Sequence, residues 1–241
     1  MFKLPFDINV ACVAFFGTLV SYNFIKYEFL FRLQKILSNE QIGIVVLSLL
    51  SVFGLVYGVF MLKFSSIIFA AIFGLMTFLY AIPFLPEGKN MRNRSGIKIY
   101  IVAFCWVGVT LLLPLLNAGA EISTDVILKF FQRFLLVIIL ILIFEIVDLE
   151  KDEDYLKTVP QKIGIANTKK LNLVLLLVFY CLELFKSHID VRQLLVNVPL
   201  IIAAALFTFY ARPGRNKYYT LFWVESIPIL WLGLVYLTRY L

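Results

Sequence analysis

Eight long apolar runs constrain the fold of this chain more than any other feature. They lie at residues 8–31, 42–62, 65–85, 97–116, 126–148, 170–186, 193–210 and 218–239, and short segments with charged or turn-forming residues separate them. A run of about 20 apolar residues can cross the hydrocarbon core of a bilayer as an α-helix. The sequence therefore predicts an all-α, polytopic membrane helical bundle of about eight transmembrane helices around a central cavity, with residues 1–241 forming one domain.

The overall composition agrees with an integral membrane protein. The chain is 62% hydrophobic and 15% charged, whereas soluble domains are about 45–50% apolar. The net charge of +7 fits the basic loops of a membrane protein better than a nucleic-acid partner, so we expect none. The three cysteines all lie in apolar runs, and we predict small buried residues without disulfides. The first run is too long for a cleavable signal peptide.

Loop charge predicts the orientation in the membrane. Most of the 22 basic residues lie in the loops after the first, third, fifth and seventh runs. Because basic loops face the cytoplasm, both termini are predicted to be external. We expect a protein of the bacterial inner (cytoplasmic) membrane whose active face is cytoplasmic and carries both the basic loops and an acidic segment.

This acidic segment follows the fifth run directly. Six acidic side chains occur within ten residues, starting at Glu145. If the helix continues, Asp148 and Asp152 share one face, and Glu145 lies one turn earlier on it. Carboxylates with this spacing are suitable ligands for Mg²⁺. The alternative is a solvated acidic helix end that Lys151 and Lys157 balance.

Three segments together resemble a known family. The first is Asp148-Leu-Glu-Lys-Asp152, which Thr158-Val-Pro and Ile-Gly164 follow. The second is Leu79-Tyr80-Ala-Ile-Pro83, which a basic loop and Ser95-Gly96-Ile97-Lys98 follow. The third is Gly17-Thr-Leu-Val-Ser-Tyr-Asn23. Their order and sequence resemble the UbiA-type polyprenyltransferases. The resemblance implies a helical membrane enzyme that transfers an isoprenoid chain from its diphosphate to an aromatic or lipid acceptor.

The chain departs from this family at the first aspartate-rich motif. Asn23 is present, but Phe24, Tyr27 and Phe31 stand where acidic residues are expected. The second motif lacks the usual glycine and is one residue shorter before Thr158. The helix that precedes the first motif in the family has no counterpart here, so we expect that the true start lies further upstream or that the helix has been lost.

The resemblance implies roles for the acidic residues and for one amide. Asp148 and Asp152 would be catalytic and would bind Mg²⁺, with Asn23 as a neutral oxygen ligand. Mg²⁺ would neutralise the diphosphate leaving group, and an apolar cavity would protect the allylic cation from water. Glu225, inside the last run, is a further candidate for the cavity wall. An ion pair with a neighbouring helix is its alternative.

Basic and aromatic residues complete the predicted site. The candidates for binding the isoprenyl diphosphate are Lys89, Arg92, Arg94 and Lys26, and Tyr80 flanks one of the motifs. The alternatives are topology-setting charge for the loop residues and extension of Lys26 to the membrane interface. Membrane lipid is the other expected partner.

Three functional classes follow from these features. The first is an intramembrane prenyltransferase with a reduced metal site. The second is a non-catalytic UbiA-like protein that binds isoprenoid lipid or a partner subunit, which the missing acidic residues favour. The third is a small transporter, which ranks last because the polar groups cluster at one face rather than at the midplane. Glu183 and His188, near the other face, are predicted to be interfacial.

Overall fold

A computed structural model describes residues 4–32, 38–82, 96–150, 157–187 and 189–238. Its helices are α1 (Ile8–Arg32), α2 (Asn39–Phe60), α3 (Phe64–Ala81), α4 (Ile97–Ala118), α5 (Thr124–Val147), α6 (Val159–Ile163), α7 (Ile165–Leu184), α8 (Val191–Tyr210) and α9 (Tyr219–Leu237). All except α6 are long and apolar enough to cross a membrane. The prediction of an all-α polytopic protein with eight spans is confirmed, and the central cavity stays a prediction.

Local capping signals set several helix ends. Ser38 starts α2 with a capping box, in which its hydroxyl accepts from the Gln41 N–H at 3.3 Å. Gly119 and Gly164 have φ angles of +73° and +80°, and they end α4 and α6. The seventh helix of the chain, α7, begins at Ile165, five residues before the apolar run that predicts it. Its first turns carry lysines, whose long side chains can reach the interface.

The chain divides into two compact units, Met1–Glu121 and Ile122–Leu241. In the first unit, α1 packs along α2. A Cβ atom on Gly54 would lie 2.5 Å from the Phe16 ring, and one on Gly58 would lie 2.9 Å from the Val13 side chain. These two glycines therefore allow the helices to approach closely. The prediction of a single domain over 1–241 stays a prediction.

One asparagine connects three helix ends of the first unit. The Asn117 side chain donates to the Asp7 carboxylate at 2.7 Å and accepts from the Lys63 N–H at 2.9 Å. The other carboxylate oxygen of Asp7 accepts from two N–H groups at the start of α1. The start of α1, the α2–α3 turn and the end of α4 are thus held together.

In the second unit, α5 is the central element. It packs against α7, α8 and the first turn of α9. Its side chains at Ile139, Ile143 and Ile146 are completely buried, and they share a core with Phe179 and Leu200. It also contacts the short helix α6, so four helices pack against α5.

Two spans contain a π-helical turn, at Gly108–Leu112 in α4 and at Tyr219–Val224 in α9. Such turns re-aim the side chains that follow them. In α4 the turn starts at a glycine whose Cβ, if present, would lie 2.2 Å from the Phe73 ring. In α9 the turn precedes Glu225.

Candidate functional site

The candidate site lies at the end of the second unit where α5 stops. The last helical residue is Val147, and Asp148 is the C-cap, with its N–H donating to the Phe144 carbonyl at 2.9 Å. Residues 148–150 are not helical, so the continued helix on which the predicted shared face depends is not present there. The negative end of the helix dipole disfavours further acidic residues in the helix, which explains this end point. Asp152 lies outside the described residues.

Glu145 fixes the segment that returns from the acidic stretch. Its side chain is only 5% exposed, and its carboxylate accepts from the Val159 N–H at 3.0 Å. Thr158 then starts the short helix α6 with a capping box, in which its N–H donates to the Gln161 side chain at 2.8 Å. Glu145 is therefore a positioning residue for the chain after the acidic stretch.

The loop between α8 and α9 contacts the same end of α5. The Gly214 N–H donates to the Val147 carbonyl at 3.2 Å, and φ at Gly214 is +67°. A Cβ atom at this glycine would lie 2.8 Å from the Glu150 carboxylate. The loop carries Arg212, Arg215 and Lys217. A basic loop thus lies directly against the acidic end of α5, as a site for both a cation and a phosphate requires.

Two basic side chains of this region satisfy helix carbonyls. Arg215 donates to the Tyr210 carbonyl at 2.8 Å, and its guanidinium lies 4.2 Å from the centre of the Tyr219 ring. Lys169 donates to the Phe209 carbonyl at 2.7 Å. Cations are favourable at this position because the last carbonyls of a helix lack helical partners. Arg212 and Lys217, in contrast, are exposed.

The described residues do not assemble a metal site by themselves. No group of three or more His, Cys, Asp or Glu side chains among them is arranged to hold an ion. Asp148 is half-buried at the end of α5, and the Glu145 carboxylate is occupied by the Val159 N–H. Three further acidic residues, at positions 152–154, lie outside the described part of the chain.

In the first unit, the predicted ligand Asn23 takes part in helix packing. Its amide donates to the Ser48 hydroxyl on α2 at 2.8 Å. The next residue, Phe24, stacks on Phe78 of α3 with ring centres 5.9 Å apart. Lys26 is exposed, and its ammonium lies 5.7 Å from the centre of the ring of Tyr22, one turn away on the same helix. This arrangement agrees with an interfacial lysine among aromatic side chains.

The remaining predicted residues lie in different surroundings. Tyr80 is buried near the end of α3 in the first unit. Glu225 is exposed at the junction between the π turn and the α-helical part of α9, in the second unit. The loop residues predicted to bind diphosphate lie outside the described part of the chain. They are Lys89, Arg92 and Arg94.

A buried charged cluster lies at the other end of the second unit. Glu183 is completely buried within the protein, and its predicted level at the membrane interface stays a prediction. Its carboxylate accepts from Gln132 at 2.8 Å and from Asn197 at 3.1 Å, and it forms an ion pair with Lys186. The sequence contains one indication of this cluster, because Lys129 and Gln132 interrupt an otherwise apolar helix. His188 lies outside the described residues.

Comparison with protein-family models, with curated proteins and with solved structures gave no match. The fold thus defines the class, a polytopic α-helical membrane protein with eight candidate spans in its described residues.

Proposed function

We propose that this protein is an intramembrane prenyltransferase of the UbiA type, which moves an isoprenoid chain from its diphosphate to an aromatic or lipid acceptor. One observation carries the proposal: the basic loop before α9 is hydrogen-bonded to the acidic end of α5. Gly214 and Val147 make this contact at 3.2 Å. The segment that resembles the second aspartate-rich motif therefore lies beside basic side chains within one compact unit.

The proposed chemistry explains why both kinds of charge are needed. When the allylic C–O bond breaks, the diphosphate leaves with the electron pair, and the acceptor attacks the carbon and loses a proton. Arg and Lys stabilise the departing oxygens, and Mg²⁺ bound by carboxylates would add to this stabilisation. In the proposal, Asp148 and Asp152 bind the metal. Arg212 and Lys217 bind the diphosphate in the second unit, and the same role for Lys89, Arg92 and Arg94 stays a prediction from the sequence.

The location follows from the same proposal. The acidic end of α5 would face the cytoplasm of a bacterium, because the loops at this end carry most of the basic residues. The diphosphate would enter from the cytoplasm, while the isoprenoid chain would remain in the apolar interior. Glu225, exposed about one and a half helical turns into α9, would lie near the reacting end of the substrate.

A second candidate is a non-catalytic relative that binds isoprenoid lipid or a partner subunit. The packing of α1 favours it. Asn23 donates to Ser48, and Phe24 stacks on Phe78 where the family would place metal-binding acids. This part of α1 is therefore used for contact between helices, and any metal site would be reduced to one acidic segment.

Diphosphate release by purified protein tests the transferase proposal. The protein would be assayed in detergent with geranylgeranyl diphosphate, with a panel of aromatic and lipid acceptors, and with Mg²⁺ or EDTA. We expect Mg²⁺-dependent release that falls by about a hundredfold or more in Asp148→Asn and in Asp152→Asn. Glu121→Gln is the matched control, since Glu121 is an exposed carboxylate outside the site, and its activity should match the wild type.

A binding assay separates the two candidates. Labelled isoprenyl diphosphates of several lengths would be tested for retention by the wild type, by Arg212→Gln and by Lys217→Gln. Retention without turnover of any donor–acceptor pair would favour the non-catalytic relative. Turnover that neither aspartate substitution alters would remove both aspartates from the mechanism.

A further inference from the structure

Among the described residues, the buried charged cluster of the second unit contains more positive than negative charge. Lys129 is 4% exposed and Lys186 is 6% exposed, whereas Glu183 is the one acidic side chain buried with them. Arg133 and Asp125, one turn after and one turn before Lys129 on α5, are half-buried and add a third positive and a second negative charge. The Asp125 carboxylate accepts from the Ser187 N–H at 2.8 Å. The cluster lies where α5 begins and α7 ends, at the opposite end of the unit from Asp148.

The hydrogen bonds of Glu183 leave Lys129 without a direct counter-ion. The carboxylate is taken by Lys186, Gln132 and Asn197. The Lys129 ammonium has no hydrogen-bond partner among the described residues, and it lies 4.6 Å from the centre of the Trp231 ring. Burial of an ammonium without a hydrogen-bonding anion costs several kcal/mol, and a ring face offsets only about 2 of these. An anion bound from outside the chain would compensate the charge of the Lys129 ammonium.

Two more features of this cluster indicate an oxyanion as the ligand. The indole N–H of Trp231 also has no acceptor among the described residues. The guanidinium of Arg133 lies 5.9 Å from the centre of the same ring, so a third donor group flanks the indole. An ammonium, an indole N–H and a guanidinium around one ring are suitable donors for the several oxygens of a phosphate group.

The depth of the cluster identifies the source of this phosphate. Lys129 is the sixth residue of α5 (Thr124–Val147), so it lies about 7 to 8 Å below the start of the helix. The residues packed with it are Glu183, the second-last residue of α7, and Lys186, beyond the end of α7, so the cluster lies near the membrane interface and not at the bilayer midplane. At that level, phospholipid phosphates are the available oxyanions, and basic pockets between transmembrane helices can bind lipid headgroups.

We propose that Lys129, Arg133 and Trp231 form a binding site for the phosphate group of an anionic phospholipid. The lipid enters on the side of α5 that carries the half-buried Arg133. Its phosphate displaces Lys129 from the ring face and accepts from the ammonium and from the indole N–H. Loop charge predicts this end to be external, so the lipid belongs to the outer leaflet. The site is separate from the acidic end of α5 and does not depend on the transferase activity.

Lipid-dependent stability and binding test this site. Delipidated protein in detergent would receive phosphatidylglycerol, phosphatidylcholine or inorganic phosphate, and its melting temperature and retained lipid would be measured. We expect phosphatidylglycerol to bind and to raise the melting temperature, whereas the other two additives leave it unchanged. Lys129→Gln should weaken phosphatidylglycerol binding by about tenfold or more, and Lys170→Gln, at an exposed lysine of α7, should bind as the wild type does.

A second substitution keeps the test valid if Lys129→Gln folds poorly. Trp231→Phe retains an aromatic ring for packing but removes the indole N–H, and it should also weaken phosphatidylglycerol binding. Equal effects of phosphatidylglycerol and phosphatidylcholine, or wild-type binding by both variants, would overturn the proposal. A stabilising effect of inorganic phosphate that equals that of the lipid would overturn the assignment to a lipid headgroup.

Discussion

Substitution of Glu183 is the sharpest test of the buried charged cluster. Glu183→Gln conserves the size of the side chain and removes its charge. Gln132 and Asn197 both donate to the same oxygen of the carboxylate, at 2.8 and 3.1 Å, so an amide oxygen in that position keeps both hydrogen bonds. The amide nitrogen then faces the Lys186 ammonium, and the variant loses the ion pair.

The expected loss of stability follows from these contacts. Removal of one member of a buried ion pair costs about 3–5 kcal/mol, because the other charge stays buried without a partner. A hydrogen bond between membrane helices contributes only about 0.6 kcal/mol on average. Loss of the charge thus dominates the effect, and we expect Glu183→Gln to lower the free energy of unfolding by about 3–5 kcal/mol.

Unfolding in mixed micelles measures this change. The delipidated protein would be titrated with SDS, and the loss of helix would be followed by circular dichroism. Glu183→Gln combined with Lys186→Gln should recover more than half of the loss, because the double variant buries neither charge of the pair. Glu121→Gln, at an exposed carboxylate, should change stability by less than about 0.5 kcal/mol.

Two results would refute this reasoning. The first is a loss below about 1 kcal/mol for Glu183→Gln, since a hydrogen-bond change alone accounts for that amount. The second is a double variant less stable than the single one, which would mean that Lys186 stabilises the cluster through contacts other than Glu183.

Three further stability predictions use the same SDS titration. Gly108→Ala places a methyl group 2.2 Å from the present position of the Phe73 ring and should cost about 1–3 kcal/mol; Gly74→Ala, with no neighbour within 4 Å, is the control and should not destabilise. Asn172→Leu removes buried hydrogen bonds to the Ile139 carbonyl and to a threonine and should cost about 1 kcal/mol; a loss as large as that of Glu183→Gln would contradict the priority given to charge. Asn117→Ala breaks the link between three helix ends and should cost about 1–2 kcal/mol, while an unchanged midpoint would show that these ends are held by apolar packing alone.

The sequence predicts the helices well because their signal is local. Each span is a continuous apolar run, and the length needed to cross a bilayer depends on no contact with another helix. The predicted start of α2 at residue 42 differs from Asn39 in the structure by three residues, because polar residues of the Ser38 capping box extend the helix beyond its apolar part. Ends of this kind follow from side-chain chemistry and not from hydrophobicity.

The candidate site was only partly predictable. Asp148 lies at the end of an apolar run, and its position follows from the sequence alone. The contact between Gly214 and Val147 joins residues that are far apart in the chain, so no local pattern indicates it. For the same reason, the sequence alone indicates only topology-setting charge for Arg212 and Lys217 and does not place their loop beside Asp148.

The class of this protein, an α-helical membrane protein with eight candidate spans in its described residues, follows from the sequence alone, because hydrophobic length and loop charge act on each segment separately. Which polar residues are buried depends on the packing of the helices. Glu183 near the end of α7, Lys129 on α5 and Asn197 on α8 are each compatible with an interfacial position in the sequence. Packing between helices brings them together, and the low dielectric constant there makes a buried polar group without a hydrogen-bond partner costly.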